Sequence, residues 1–171
     1  MNNLNIPEGL HMRPAQDKDK PFLAMLHESV RQDLLLIDAE EDYIKQIVEM
    51  QLRAQTEGYG QQYPNAMYFV IEKHHELIGK VTVDFGHNEV RLVEIAFLPQ
   101  ARGLGFGEVI IRSLMVAAEQ SKVPMTLTVA RNNPGAFKLY VKLGFVVEQE
   151  DDMYILMTWK PELNVFQTTF S

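Results

Sequence analysis

Arg102-Gly103-Leu104-Gly105-Phe106-Gly107 stands where the hydrophobic pattern of this chain changes period. Before it, Val90 to Leu98 is a run of β-forming residues that ends at Pro99. After it, Phe106, Ile110, Leu114 and Ala117 recur at helical spacing, with Glu108, Arg112 and Glu119 as the opposite, polar stripe. Met125 to Ala130 returns to period two, placing Met125, Leu127 and Val129 on one face. A strand, a helix and a strand in that order make a crossover, and a helical crossover joins parallel neighbours.

The turn also carries chemistry. Its glycines let the backbone tighten and let a ligand come close, with no Cβ in the way. The first amides of the following helix have no partner within it, and the helix dipole adds partial positive charge there. Together they suit phosphate oxygens, even on an acidic protein. Spacing removes two nucleotide readings. A dinucleotide fingerprint needs G-x-G-x-x-G, and here Gly107 follows Gly105 one residue too early. A P-loop needs a Gly-Lys-Ser/Thr ending, which is missing.

Working outward, Leu10 to Arg13 reads as a first strand, and Pro21 opens a helix that runs to about Gln32 with Phe22, Met25, Leu26 and Val30 on its stripe. A second helix is expected from Glu41 to Glu57, closed by Gly58, Gly60 and Pro64. Met67 to Glu72 is a strand, His74-His75-Glu76 a turn, and Gly79 to Phe85 an alternating half-buried strand. With Val90 to Leu98 these form an antiparallel meander. Downstream, Asn133 caps a helix, Pro134 begins it and Gly144 stops it. Phe145 to Gln149 and Met153 to Trp159 close the chain as a hairpin across an acidic turn.

The expected fold is therefore α/β in the α+β sense. One domain spans 1–171, with its core from about residue 10 to 159 and an uncertain tail from 160 to 171. It holds a central mixed, mostly antiparallel sheet of six to seven strands and about four helices. The length suits one core, and 46% hydrophobic with 23% charged residues argues against disorder. A net charge of −7 excludes a broad nucleic-acid surface. With no cysteine there is no disulfide and no thiol to hold an acyl group. Met1 to Pro7 lacks the features of a signal peptide and no apolar run is long enough to span a bilayer, so a cytoplasmic protein without membrane partners is expected. His74-His75 lacks metal-ligand spacing, and no metal is expected.

Two segments together resemble the GNAT superfamily of acetyl-CoA-dependent acyltransferases. Its pyrophosphate loop reads Arg/Gln-x-x-Gly-x-Gly/Ala after a strand and a proline, which Arg102-x-x-Gly105-x-Gly107 after Pro99 matches. Gln100-x-x-Gly103-x-Gly105 also satisfies the pattern, but the step from the proline and the helix after Gly107 favour Arg102. The second segment, Asn-x-x-Ala-x-x-Leu-Tyr followed by Gly-Phe, is similar to Asn133 to Tyr140 and Gly144-Phe145. The resemblance covers most of the chain from Leu10 to Trp159, its first two helices only in outline.

The resemblance implies a sheet splayed between its fourth and fifth strands, with Ile95, Ala96 and Phe97 along the pantetheine of acetyl-CoA. Arg102, Gly103, Leu104, Gly105, Phe106, Gly107 and Glu108 would hold the pyrophosphate, and Asn133 and Tyr140 would meet the pantetheine and thioester. It implies an N-acetyltransferase acting on a primary amine of a small molecule, peptide or protein, as a monomer or a homodimer. Transfer of another acyl group, or a CoA-binding sensor without turnover, are the alternatives. Tyr140 would protonate the leaving thiolate. Glu94, on a face with Leu92 and Ala96, is the candidate base, with water or no residue as alternatives. Other members place a glutamate where this chain has Thr128 or Arg91. Tyr59, Tyr63 and the loop from Leu34 to Glu40 are candidates for the acceptor site, and the acidic run Glu148 to Asp152 reads as a solvated hairpin tip open to a cationic acceptor.

Overall fold

The computed structural model describes residues 6–34 and 65–161. Its elements are β1 (Leu10–Pro14), α1 (Lys20–Leu34), β2 (Ala66–Lys73), β3 (Glu76–Phe85), β4 (Val90–Phe97), α2 (Phe106–Ser121), β5 (Met125–Ala130), α3 (Pro134–Leu143), β6 (Val146–Glu150) and β7 (Tyr154–Trp159). The seven strands form one sheet in the order β1-β2-β3-β4-β5-β7-β6. This is the mixed sheet expected from the sequence, with three helices among the described residues. The expected helix from Glu41 to Glu57, Tyr59, Tyr63 and the loop residues 35–40 lie outside the described residues. No described helix is long and apolar enough to cross a membrane.

The described chain falls into two compact units, one of residues 6–82 and 94–106, the other of 83–93 and 107–161. In the first, β1 runs antiparallel to β2, with Met12 opposite Ile71 and Arg13 opposite Val70. Val70, Ile71, Val81 and Leu26 are fully buried. Met25, placed by spacing on the same stripe as Leu26, is 52% exposed. It sits one residue, about 100°, around the helix from Leu26, at the edge of the apolar face. The β2–β3 connection is the two residues His74 and His75, both in the left-handed region at φ 51° and 71°. That conformation matches the twist of a hairpin, and Glu76 belongs to β3 rather than to the turn.

A charged cluster anchors the start of this unit. Arg13 grips the Asp19 carboxylate with both terminal nitrogens at 2.9 Å, and its Nε reaches Glu72 at 3.1 Å. Asp19 also accepts from the Gln16 amide at 2.7 Å and is only 1% exposed. The Arg13 bond holds the Asp19 carboxyl below its ordinary value of 3.8, with burial opposing. A depressed carboxylate stabilises the fold above its unfolded pKa, and that contribution is lost as pH falls through the folded value. Asp19→Asn is therefore expected to lower Tm at neutral pH and to lose less on acidification than the parent. Thermal melts at about pH 7 and about pH 3 check this, and an equal Tm deficit at both would contradict it.

In the second unit, β4 and β5 are parallel, with Val90 opposite Met125, Arg91 opposite Thr126 and Leu92 opposite Leu127. The crossover rule therefore holds. Beyond Leu92, β4 continues to Phe97, whereas β5 pairs with β7 along its whole length from Met125↔Trp159 to Ala130↔Tyr154. Met125, Leu127, Val129, Ile155 and Met157 line one face and are all buried. On α2 the buried residues are Ile110, Ile111, Leu114, Met115 and Ala118. The apolar face is thus two columns wide, and Ala118 rather than Ala117 lies at its centre.

Candidate active site

In the first unit, β4 ends at Phe97, and Pro99–Ala101 forms a single 3-10 turn. Arg102 follows in extended conformation, its Nε donating to the Phe97 carbonyl at 3.0 Å. This bond ties the first residue of the glycine turn back to the end of the strand. Gly103 and Gly105 then take φ +73° and +87°, a region where a side chain is strained. Among the described residues, a carbon added at either glycine would meet no atom within 4 Å. So packing does not demand these glycines; the turn does, and it leaves the backbone open. Helix α2 begins at Phe106, and its first amides follow directly. Leu104 is 62% exposed, so this apolar residue is presented rather than packed.

The end of β4 is held from the β3 side. The Leu98 amide donates to the Ile78 carbonyl at 2.8 Å. A carbon added at Gly79 would lie 2.6 Å from the Ala96 carbonyl oxygen and 2.8 Å from the Phe97 ring. Here glycine is required by close approach of two strands. Glu94 is paired with Lys80 at 2.7 Å, the two side chains 19% and 13% exposed. The strand alternation of Lys80 and the charge of Glu94 were both visible in the sequence, but their meeting depends on which strands are neighbours.

In the second unit, Glu108 lies in the first turn of α2, where its charge would oppose a bound anion. Lys142 Nζ and Arg112 Nε each reach it at 3.1 Å. The Lys142 bond first, then Arg112, holds its carboxyl below the ordinary value. Asn133 caps α3: its Oδ1 accepts from the Ala136 amide at 3.2 Å. Pro134 occupies the first turn, and Gly144 ends the helix at φ +104°. Capping thus accounts for the side chain of Asn133.

Tyr140 is 7% exposed, its ring tilted against Phe145 with centroids 5.8 Å apart. Burial raises its pKa above 10.0, so the phenol keeps its proton at neutral pH. Arg91 Nη2 donates to Thr128 Oγ1, joining the two positions where the resemblance expects a carboxylate. The acidic run is more engaged than a solvated tip. Glu148 accepts from Thr158, Glu150 pairs with Arg131, and Asp151 accepts from the amides of Met153 and Tyr154 at 2.8 Å. Among the described residues, no group of three His, Cys, Asp or Glu is placed to hold a metal.

The chain matches the family model described as Acetyltransferase (GNAT) family over residues 27–145. Among solved structures it is similar to the PaiA N-acetyltransferase from Thermoplasma acidophilum in complex with coenzyme A. The identity there is 20%, over 88% of this chain and 98% of the other, with a TM-score of 0.67. It is also similar to spermidine N-acetyltransferase from Vibrio cholerae in complex with CoA and spermine, at 21% identity over 93% and 99% with a TM-score of 0.63. A third is a GNAT family acetyltransferase from Elizabethkingia anophelis with acetyl-CoA bound, at 15% identity over 90% and 99% with a TM-score of 0.59. These likenesses concern the fold. A search of curated proteins finds no significant match.

Proposed function

Because this chain belongs to the acetyltransferase (GNAT) family and is thereby an acyltransferase, we propose that it moves an acetyl group from acetyl-CoA directly to a primary amine of a small molecule, peptide or protein. The observation that carries this reading is the glycine turn. Gly103 and Gly105 hold left-handed backbone, with no atom of the described residues within 4 Å of an added carbon, and lead straight into the first amides of α2. Backbone amides from Arg102 to Glu108 would take the pyrophosphate oxygens. The Ile95, Ala96 and Phe97 backbone would run along the pantetheine and supply an N–H to the thioester oxygen. The Asn133 side chain is a helix cap, so it would meet the pantetheine through its remaining polar atoms.

In the reaction, the neutral amine nitrogen forms a bond to the thioester carbonyl carbon, and the carbon–sulfur bond breaks. Tyr140 gives its proton to the departing sulfur, and the proton shed by the amine passes to a base. Glu94 is the candidate base once its pair with Lys80 opens; otherwise water takes the proton. With no cysteine to carry an acyl-thiol intermediate, direct attack with both substrates bound is the simplest route. The test is thiol release from acetyl-CoA over a panel of amines with the full chain. Amine-dependent release supports the reading. Tight CoA binding without release for any amine would replace it with a sensor.

A further inference from the structure

Within the first unit, the β2–β3 hairpin sets a cation beside the glycine turn. Lys73 is the last residue of β2, and its Nζ lies 6.0 Å from the centroid of the Phe106 ring. Phe106 directly follows Gly105 and is the first residue of α2. The same ammonium donates to the Glu8 carbonyl. Among the described residues, the contacts of Lys73 are with this carbonyl and that ring, neither of which is charged. The carbonyl engages one of three ammonium protons and neutralises none of the charge. The hairpin tip that carries Lys73 is pinned from two sides. The His74 amide donates to the Gly9 carbonyl at 2.9 Å, and a carbon added at Gly9 would collide with the His74 ring. Gly9, at φ +79°, is therefore required by this close approach. From the other side, the Leu98 amide bonds the Ile78 carbonyl at 2.8 Å. That bond ties the second strand of the hairpin to the stretch that leads into the glycine turn.

We propose that Lys73 binds the 3′-phosphate of coenzyme A, a contact that the glycine turn alone does not supply. The inference rests on the coenzyme reading of that turn. With the pyrophosphate on backbone amides, coenzyme A has one further anion, the monoester phosphate on its ribose. Such a group carries about −1.5 to −2 charge near neutral pH and offers three acceptor oxygens. Amides and a helix dipole meet an anion with partial charges only. On a protein of net charge −7, a phosphate with nearly two charges calls for a full cation close by. An ammonium is a compact charge with rotatable donors, suited to a phosphate whose place the rest of the ligand fixes. The Phe106 face and the Glu8 carbonyl hold the Lys73 side chain beforehand, so less rotamer freedom is lost on binding.

The experiment is calorimetric titration of the full chain with CoA and with dephospho-CoA, which lacks only the 3′-phosphate. Wild type is expected to bind CoA about fivefold or more tightly, the scale of one charge-assisted bond discounted for solvent. Lys73→Met is expected to bring the two affinities close together by weakening CoA alone. Lys73→Arg, which keeps the charge, is expected to retain most of the preference. Added salt is expected to lower the wild-type preference, because an exposed pair is screened. A lysine that served only to hold the Glu8 carbonyl would shift Tm and change both ligands alike or neither. Equal affinity of wild type for the two ligands would overturn the inference while leaving the coenzyme reading in place. So would an equal loss on both in a folded Lys73→Met variant, which would put the lysine on the pyrophosphate instead. If neither ligand binds wild type, the coenzyme reading of the glycine turn falls and this inference with it.

Discussion

Replacing Tyr140 by phenylalanine is expected to lower kcat about a hundredfold, the scale of a positioned general acid, with KM for acetyl-CoA changed by no more than about threefold. The ring stays, so its packing on Phe145 and the buried volume stay. Only the hydroxyl is removed. A thiolate that must leave without a proton is the poorer leaving group, and the deficit should appear in the chemical step. Burial also fixes the pH behaviour. It raises the phenol pKa above 10.0 by disfavouring the charged form. The acid is therefore in its working form throughout the neutral range, and no alkaline loss of activity below that value should trace to it. Stopped-time thiol release with wild type and Tyr140→Phe, at saturating amine, measures both. Equal kcat in the two proteins across pH would remove Tyr140 from the reaction.

Gly105→Val is expected to weaken CoA binding by at least about thirtyfold, since a side chain there displaces a phosphate from several charge-assisted bonds at once. Among the described residues, a carbon at Gly105 meets no atom within 4 Å. The loss therefore comes from what would occupy that space and from the φ of +87°, which a β-branched residue resists. Calorimetric titration with CoA reads the affinity, and a thermal melt reports whether the variant is folded. A folded variant that binds CoA as tightly as wild type would detach the glycine turn from the coenzyme.

Much of the fold was legible because its signals are local. The change from period two to helical period at Phe106 marked α2, and Asn133, Pro134 and Gly144 marked α3 to the residue. The crossover rule placed β4 and β5 parallel from spacing alone. What escaped the sequence depends on neighbours. The pair of Lys80 with Glu94 joins adjacent strands, and the bond of Arg91 to Thr128 exists only once β4 is known to lie beside β5. Glu148 meets Thr158 at a register irregularity that no composition rule foretells. Met25 beside Leu26 shows the same limit on a helix, where spacing names a stripe but not its edge.

The candidate site divides in the same way. Gly103 and Gly105 were readable as turn glycines, and both adopt left-handed backbone. Gly79 was read only as the start of a strand, and its reason is the approach of the Ala96 carbonyl from the next strand. The carboxylate of Glu108 in a site for anions is a conflict at the level of sequence; Lys142 and Arg112 resolve it in space.

The central claim is transfer of acetyl from the coenzyme to an amine, and isotope-labelled acetyl-CoA tests it most directly. In a single turnover with excess enzyme and the best amine of the panel, mass spectrometry should find the label on the acceptor nitrogen, with one CoA thiol released per labelled product. Label recovered as free acetate, or retained on intact acetyl-CoA bound to the protein, would contradict it.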